Sequence, residues 1–482
     1  MNFARDVVDA APAGDRALVE ISRDGARREW TFGEVADASA RLAGTLVARG
    51  VGRGDVVMTL IGNRPEWVLT MVACFRIGAV ALPCNEQLRA NDLRQRLEAA
   101  KPKLIVADAR NAGELAAAAP DEARTRIILI PDEELFSAEP AAPIDLDPTD
   151  PCLITFTSGT TGEAKGIVHG QRYLPGQRLQ ATHWLGGRAG DLVWCTAASG
   201  WSKSARNVFI APWLTGAAAL LHDARFDPAQ RLEILASENV AVLCMAPTEY
   251  RVIAKRVELH PVPSLHGLVA AGEALNPEVL RAFKDATGLE IRDGYGQTET
   301  GQLTGVPAGG TVRPGSMGRP LPGVALEVDD GELVLADPRT DPTFFVATLG
   351  GPPSPEDRPW CTGDRVTVDE DGYLYFEGRT DDVIISAGYR IGPFEVESAL
   401  VSHGAVAEAA VVAAPDEERG AVVRAVIVLR DGYSPSDALV TELQDHVKHE
   451  TAPYKYPRIV DFAADLPKTA SGKVQRAVLR GT

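Results

Sequence analysis

A run of hydroxyl and glycine residues, Thr157-Ser158-Gly159-Thr160-Thr161-Gly162, stands between an apolar, strand-like segment and Lys165. Glycine lets backbone N–H groups approach an anion closely, and Ser and Thr hydroxyls add further donors, so the loop suits a polyphosphate. It is not a Walker A loop, because that pattern ends in Gly-Lys-Ser/Thr whereas here Lys165 precedes Gly166. Taken alone, such a cluster is equally consistent with an ordinary surface turn.

A second polar stretch, Asp293-Gly294-Tyr295-Gly296-Gln297-Thr298-Glu299-Thr300-Gly301, follows the short strand predicted at Glu290-Ile291-Arg292. In it, Tyr295 could stack on a base and Thr298 could donate to a phosphate. Glu299 offers the hard carboxylate oxygen that Mg²⁺ prefers. The alternative is a turn with one exposed acid.

Three further segments place charges in turn-like contexts. In Trp360-Cys361-Thr362-Gly363-Asp364 we expect a tight turn, after which the carboxylate could accept both hydroxyls of a ribose. Arg379 and Arg390 could bind phosphate, although surface ion pairing is the alternative. Lys473 ends the segment Pro467-Lys468-Thr469-Ala470-Ser471-Gly472-Lys473, where glycine and hydroxyls would let it be delivered into a site.

The overall composition sets limits on partners and compartment. A hydrophobic fraction of 45% with 24% charged residues is typical of a soluble globular protein. The net charge of -17 disfavours nucleic acid or an anionic membrane as the main partner. The cysteines are scattered without a CxxC pair, which favours reduced thiols in a cytoplasmic protein over disulfides or zinc. The longest apolar region, Val208 to Leu221, is too short to span a bilayer and contains a proline.

A chain of 482 residues is too long for one ordinary core, so we expect two or more domains. Strand-like and helix-like segments alternate as far as Ala271, which predicts open, mostly parallel α/β sheets with ligands at the strand ends. After Gly323, short strands separated by turns predict a small β subdomain. Asp337 to Pro359 is predicted to be loop, and a compact α+β unit follows. We therefore place an N-terminal domain at 1–380 and a C-terminal domain at 381–482.

In this order, the segments resemble the adenylate-forming superfamily of acyl-CoA synthetases, non-ribosomal adenylation domains and luciferases. Three of them are most similar to the medium-chain acyl-CoA synthetases: Tyr295 to Gly301, Gly388-Tyr389-Arg390-Ile391-Gly392-Pro393 and Ala452-Pro453-Tyr454-Lys455-Tyr456-Pro457-Arg458. The resemblance implies a large α/β domain followed by a small, mobile α+β domain. It also implies a two-step reaction. A carboxylate attacks the α-phosphate of Mg·ATP to give an acyl-adenylate and pyrophosphate, and the thiol of CoA then releases AMP.

The resemblance also implies a role for each matching position. Lys473 would bridge the substrate carboxylate and the α-phosphate, and Thr298 and Glu299 would complete the catalytic set, with Glu299 holding Mg²⁺. ATP or AMP would be bound by Thr157, Ser158, Gly159, Thr160, Thr161, Gly162, Lys165, Gly272, Glu273, Ala274, Asp293, Gly294, Tyr295, Asp364 and Arg379. CoA would be bound by Gln87, Ala387, Gly388, Tyr389, Arg390, Arg419, Tyr456 and Arg458. Asp381 falls at the hinge about which the C-terminal domain rotates between the two steps.

The size of the acid is predicted from one position. Acetyl-specific relatives place a tryptophan where Gly296 stands, and that side chain closes the acyl pocket. Glycine there predicts a longer or aromatic acid. Trp201 is expected to line the same pocket, with ordinary core packing as the alternative. Ser199-Gly200-Trp201 lacks the aspartate common before Gly-Trp in the subgroup, and the region between Asp337 and Pro359 is short, so the identity of the acid stays open.

Two other functions remain as alternatives, and the sequence leaves open a monomer or a homodimer. An acid-adenylating enzyme could load the pantetheine of a carrier protein instead of CoA. Arg419 and Arg458 favour free CoA, because pantetheine lacks the nucleotide that those cations would bind. A non-catalytic acyl or nucleotide sensor is disfavoured, because Lys473, Glu299 and Asp364 are all present.

Overall fold

The computed structural model describes residues 1–119, 126–157, 165–272, 275, 277–380, 382–386, 389–416, 418–468 and 474–480, except for the side chains of Glu133 and Arg390. Several residues singled out from the sequence lie outside this part of the chain. They are Ser158, Gly159, Thr160, Thr161, Gly162, Glu273, Ala274, Asp381, Ala387, Gly388 and Lys473.

The strands of the described residues fall into five sheets. In chain order they are β1 Arg16–Ile21, β2 Arg27–Thr31, β3 Val56–Leu60, β4 Val80–Cys84, β5 Leu104–Asp108, β6 Ile127–Ile130, β7 Pro151–Thr157, β8 Lys165–Gly170, β9 Leu192–Cys195, β10 Ala218–His222, β11 Val242–Met245, β12 Gly267–Ala271, β13 Ile291–Gln297, β14 Gly301–Gly305, β15 Arg319–Pro320, β16 Leu326–Asp329, β17 Glu332–Leu335, β18 Ala347–Thr348, β19 Trp360–Val368, β20 Leu374–Arg379, β21 Ile384–Ser386, β22 Tyr389–Ile391, β23 Val406–Asp416, β24 Gly420–Leu429 and β25 Ile459–Phe462.

Two large sheets form the N-terminal part, as the alternation of segments predicts. One has the order β15-β14-β13-β12-β11-β9-β10-β1-β2 and is parallel from β13 to β1. The other has the order β18-β8-β7-β4-β3-β5-β6 and is parallel from β7 to β6. Central strands such as β9, β11 and β12 are buried along their whole length, which is characteristic of parallel strands covered on both faces.

Helices cover these sheets. Among the described residues, the α-helices of four or more residues are α1 Phe32–Ala48, α2 Pro65–Ile77, α3 Ala90–Ala100, α4 Ala112–Ala118, α5 Tyr173–Gly176, α6 Ser202–Ala205, α7 Ala211–Leu214, α8 Pro228–Ser237, α9 Pro247–Arg256, α10 Pro277–Thr287, α11 Pro393–Ser402, α12 Asp437–Glu450 and α13 Arg476–Arg480. The Thr31 hydroxyl accepts from Glu34 N at 3.2 Å and the Glu34 carboxylate accepts from Thr31 N at 2.8 Å, so the capping box that starts α1 is present. No helix of the described residues is long and apolar enough to cross a membrane.

A small antiparallel sheet, β16-β17-β19-β20, confirms the β subdomain, and β23-β24-β25 with α11 and α12 forms the predicted α+β unit. Two local predictions are wrong. Trp360 to Val368 is one continuous strand, so Asp364 lies within β19 and not after a tight turn. The segment between Asp337 and Pro359 is not simply loop, because it contains a single 3₁₀ turn at Pro338–Thr340 and the strand β18.

Candidate active site

The predicted phosphate loop connects two antiparallel strands. Thr157 ends β7, Lys165 begins β8, and these two residues are direct partners in the β7–β8 ladder. The loop between them, 158–164, therefore starts at the carboxyl end of a strand in the seven-stranded sheet. That edge is where open α/β sheets bind ligands.

The second polar stretch belongs mainly to a strand, which the sequence interpretation missed. The strand β13 continues to Gln297 and pairs with β14 from Gly301, so Thr298 and Glu299 occupy the tip of a tight hairpin. Within the turn, Gln297 N donates to the Thr300 hydroxyl at 3.1 Å. The hairpin presents Thr298 and Glu299 at the edge of the nine-stranded sheet.

The charges that act on Glu299 come from the seven-stranded sheet and from the β subdomain. Burial raises the pKa of the half-buried Glu299 carboxyl, whereas the charges of Arg379 and Lys165 lower it and that of Asp364 raises it. Lys165 begins β8, and Asp364 and Arg379 are partners on β19 and β20. One carboxylate is therefore influenced by residues as distant in the sequence as Lys165 and Arg379.

Asp364 is the centre of a hydrogen-bonded cluster. The residue is buried, with only 5% of its surface exposed. The Tyr295 hydroxyl donates to Asp364 Oδ2 at 2.5 Å, and Gln297 Nε2 donates to the same oxygen at 2.8 Å. Arg379 Nη1 donates to Asp364 Oδ1 at 3.1 Å. Asp364 and Arg379 are direct partners across β19 and β20, which explains why their side chains meet.

Two members of this cluster were missed from the sequence. Gln297 also donates to the Thr362 carbonyl at 2.8 Å, and Trp360 Nε1 donates to Gln297 Oε1 at 3.3 Å. Gln297 is two residues after Tyr295 in the same motif, and this proximity was the sequence signal that could have indicated its place in the cluster. Its partner Trp360 is on another sheet, so no local pattern joins the two.

Of the predicted adenine-binding residues, Gly272 directly follows β12, and Asp293, Gly294 and Tyr295 lie within β13. Gly272 has φ +104°, a conformation that glycine adopts readily. The adjacent Asp293 is buried, and burial raises the pKa of its carboxyl to about 8, so the group is mainly protonated at neutral pH. Lys203 approaches the same place, because its Nζ donates to the Ala271 carbonyl at 2.7 Å. The sequence interpretation did not assign Lys203, although it is two residues from Trp201.

Gly296 lies against the facing strand of the hairpin. A Cβ atom on Gly296 would lie 1.8 Å from the Gly301 carbonyl oxygen and 2.8 Å from Gln302 Cα. The facing strand thus excludes any side chain at this backbone geometry. Strand packing is therefore a reason for glycine here in addition to the predicted place of Gly296 in the acyl pocket.

Trp201 is half-buried and stands just before helix α6. The preceding Gly200 has φ +87°, and a Cβ atom there would lie 2.3 Å from Asn85 N. This loop of the nine-stranded sheet therefore packs directly on the end of β4 in the other sheet. The exposed Gln87 lies two residues further, where its N–H donates to Asn85 Oδ1 at 2.8 Å.

Several of the predicted CoA-binding residues form an aromatic and cationic surface on the C-terminal unit. Tyr389 stacks on Tyr454 with ring centroids 4.4 Å apart, and both rings are exposed. The guanidinium of Arg458 lies 4.9 Å from the Tyr456 ring centroid. Arg419 lies at the β23–β24 turn and pairs with Glu418 at 3.3 Å.

Comparison with known proteins agrees with this geometry. The profile of the family described as AMP-binding enzyme matches residues 5–339, and that of the AMP-binding enzyme C-terminal domain matches residues 395–473. Acyl-coenzyme A synthetase ACSM4, mitochondrial, from Homo sapiens is 39% identical over 99% of this chain and 90% of its own length.

Two solved structures are similar along the whole chain. A benzoate CoA ligase from Burkholderia xenovorans LB400 has a TM-score of 0.87 at 27% identity, with all of both chains covered. The anthranilate CoA ligase AuaEII, in complex with anthranoyl-AMP, has a TM-score of 0.87 at 28% identity and covers 100% of this chain and 97% of its own. The chain therefore belongs to the family of AMP-binding enzymes, and it is an AMP-forming acyl-CoA synthetase.

Proposed function

We propose that this acyl-CoA synthetase activates a medium-chain or aromatic carboxylic acid with Mg·ATP and transfers the acyl group to CoA. The observation that supports the chemistry best is the direct Asp364–Arg379 pair, together with the electrostatic influence of Lys165, Asp364 and Arg379 on the Glu299 carboxyl. Adenylation requires charge neutralisation and positioning on the phosphates more than covalent help from the protein. Charged residues on three different sheets, namely Lys165, Glu299 and the Asp364–Arg379 pair, would provide the charge neutralisation and the positioning.

In the first step, Thr157, Lys165 and the loop between them donate to the phosphates, and Thr298 adds a hydroxyl. Asp364 is suited to the ribose. Its Oδ2 accepts from Tyr295 and Gln297, whereas its Oδ1 accepts only from Arg379 among the described residues and keeps a lone pair for a ribose hydroxyl.

The donor set is compatible with Mg²⁺ held jointly by protein and nucleotide. Among the described residues, no group of three or more acidic, histidine or cysteine side chains could cage a metal ion. Mg²⁺ in nucleotide sites commonly takes one or two carboxylates and completes its octahedron with phosphates and water. Glu299 would be that carboxylate. The bound ion would neutralise phosphate charge as pyrophosphate leaves.

For the second step we propose that the C-terminal domain, 381–482, rotates about Asp381 relative to the domain at 1–380. Lys473 then leaves the site, and the face that carries Ala387, Gly388, Tyr389 and Arg390 takes its place. The exposed aromatic pair of Tyr389 and Tyr454 supports CoA binding on this face. Arg458, over the Tyr456 ring, adds a cation to the same unit. Anionic groups of CoA need local cations on a protein whose net charge is -17.

Similarity to the benzoate and anthranilate ligases supports an aromatic acid. We assign the half-buried Trp201, close to Lys203 in the sequence, and Gly296 to the acid pocket. We further propose a cytoplasmic location, in keeping with six cysteines that are all free thiols, and a monomer or homodimer.

The test is pyrophosphate release across a panel of aliphatic and aromatic carboxylic acids, with and without CoA. Multiple turnovers that need CoA, with medium-length or aromatic acids, are the expected result. An adenylate that forms without turnover by CoA would move the acceptor to a carrier-protein pantetheine. Silence with every acid would contradict the proposed substrate class.

A further inference from the structure

The segment 341–349, which the sequence predicts to be loop, contacts both the turn that carries Thr298 and Glu299 and the strand β8, which begins at Lys165. We call it the bridging segment. Its first half is deeply buried: Asp341 is 2% exposed, Thr343 5% and Phe345 3%. A surface connection would be exposed and would make few contacts with its surroundings.

At its first end, the bridging segment holds the hairpin tip that carries Thr298 and Glu299. The Thr343 hydroxyl donates to the Thr300 carbonyl at 2.5 Å, and Phe345 N donates to the Glu299 carbonyl at 2.8 Å. Gly301, with φ +69°, lies so close to Thr343 that a Cβ atom on it would be 2.4 Å from the Thr343 hydroxyl. Two consecutive carbonyls of the turn are therefore tied to one segment.

At its other end, the bridging segment forms the strand β18, which pairs with β8 just after Lys165. Val346 N donates to the Val168 carbonyl and Leu349 N donates to the Gly166 carbonyl, each at 2.8 Å. Within β18, Ala347 pairs with Val168. Gly166 is the neighbour of Lys165, so this end sets the position of the residue that closes the phosphate loop.

Thr343 is held from both sides by hydrogen bonds. Its hydroxyl lies 2.6 Å from Asp341 Oδ1 and 2.5 Å from the Thr300 carbonyl, so it stands between two oxygen acceptors. Thr343 N also donates to Asp341 Oδ1, at 2.8 Å. These contacts fix the Thr343 side chain against the turn that it holds.

We propose that the bridging segment is a positioning element that fixes the distance between Lys165, at the start of β8, and the Thr298–Glu299 turn, with Thr343 as its positioning residue. The inference rests on the proposed roles of Lys165 and Glu299. It goes beyond them by assigning a role in adenylation to a residue that touches neither substrate nor metal. The physical basis is that small displacements of phosphate-binding groups cost much of the rate.

The experiment compares Thr343→Val with Thr343→Ser and with a matched control, Thr45→Val. Thr45 also donates through its hydroxyl to a carbonyl, that of Leu135, at 2.9 Å in a buried place far along the sequence from both turns. We expect Thr343→Val to lower the kcat of adenylate formation by roughly 10- to 100-fold. Thioester formation from supplied acyl-adenylate and CoA should change by less than about 3-fold, because it does not use the phosphate contacts. The serine variant keeps the hydroxyl and should restore the adenylation rate.

A second measurement does not depend on activity. Amide hydrogen exchange of the ligand-free protein should be faster at 297–302 in Thr343→Val, and unchanged there in Thr45→Val. Equal loss in both half-reactions, or a Thr343→Val rate like that of the control, would overturn the inference. If the wild-type protein adenylates no acid, the proposed function fails. In that case, unchanged amide hydrogen exchange at 297–302 in Thr343→Val would overturn the positioning role without any activity measurement.

Discussion

The residues that we assign to the nucleotide in the large domain and those that we assign to CoA in the C-terminal unit are held in different ways. Asp364 is 5% exposed and accepts hydrogen bonds from Tyr295, Gln297 and Arg379. Tyr389 is 54% exposed and stacks on Tyr454, which is itself exposed. Groups that stabilise developing charge must be preorganised, whereas a surface that enters and leaves the site must tolerate water in between.

The largest expected effect comes from Lys473, which belongs to one of the two regions and which we assign to the reaction of the other. Lys473 belongs to the C-terminal domain, yet we assign it to adenylation. Lys473→Ala should lower adenylate formation by about 1,000-fold or more, because it removes charge from the transition state. Thioester formation from supplied acyl-adenylate should remain. A comparable loss in both half-reactions, measured separately, would contradict the assigned role.

Glu299→Gln tests the large-domain side of the comparison. The substitution keeps the shape of the side chain and removes the charge that we assign to Mg²⁺, so adenylation should fall by roughly 100-fold. The Mg²⁺ concentration that gives half-maximal pyrophosphate release should rise as well. An unchanged Mg²⁺ dependence would mean that Glu299 does not hold the ion.

Tyr389→Ala tests the CoA-facing side. Because the ring is exposed and stacks only at the surface, its loss should raise the KM for CoA by about 5- to 20-fold, as expected for one aromatic contact of about 1–2 kcal/mol. Tyr433→Ala is the matched control, since Tyr433 is 50% exposed in the same unit. Pyrophosphate release in a single turnover without CoA should be unaffected in both variants. Slower adenylation in Tyr389→Ala alone would contradict the division.

The smallest expected effect is on the thermal stability of the protein, through the buried carboxyl group of Asp293. The folded-state pKa of Asp293 is raised to about 8, above its unfolded value of about 3.9. Between these values the folded protein binds the extra proton, so this group makes the free energy of unfolding fall as pH rises. The Tm of Asp293→Asn should therefore be nearest to that of wild type near pH 4, and its advantage should grow to a few degrees near pH 8, since about 1 kcal/mol shifts Tm by 2 °C or less in a chain this long. A Tm difference that does not grow with pH would contradict the buried, protonated state.

Much of the architecture follows from local patterns. The capping box at Thr31 and Glu34 starts the first long helix, Pro393 starts the helix that ends at Ser402, and alternating segments specify the parallel sheets. These features depend on neighbours within about one helical turn or one strand, so the sequence displays them directly.

The two wrong predictions share a cause. Asp364 was expected after a tight turn, yet it lies within β19, which pairs with β17 and β20 although Gly363 has φ +70°. The segment from Asp337 to Pro359 was expected to be loop, whereas Ala347 and Thr348 pair with β8. In both cases a partner strand that the local pattern does not reveal overrides the local preference.

By itself, the sequence determined the fold class, the family and the order of the chemistry-bearing segments, because residue types and spacing carry that information. Tertiary structure alone decided which charges meet: Lys165, Asp364 and Arg379 around Glu299, and the bridging segment between the two turns. Those contacts depend on strand register and sheet order, which place residues side by side regardless of their separation along the chain.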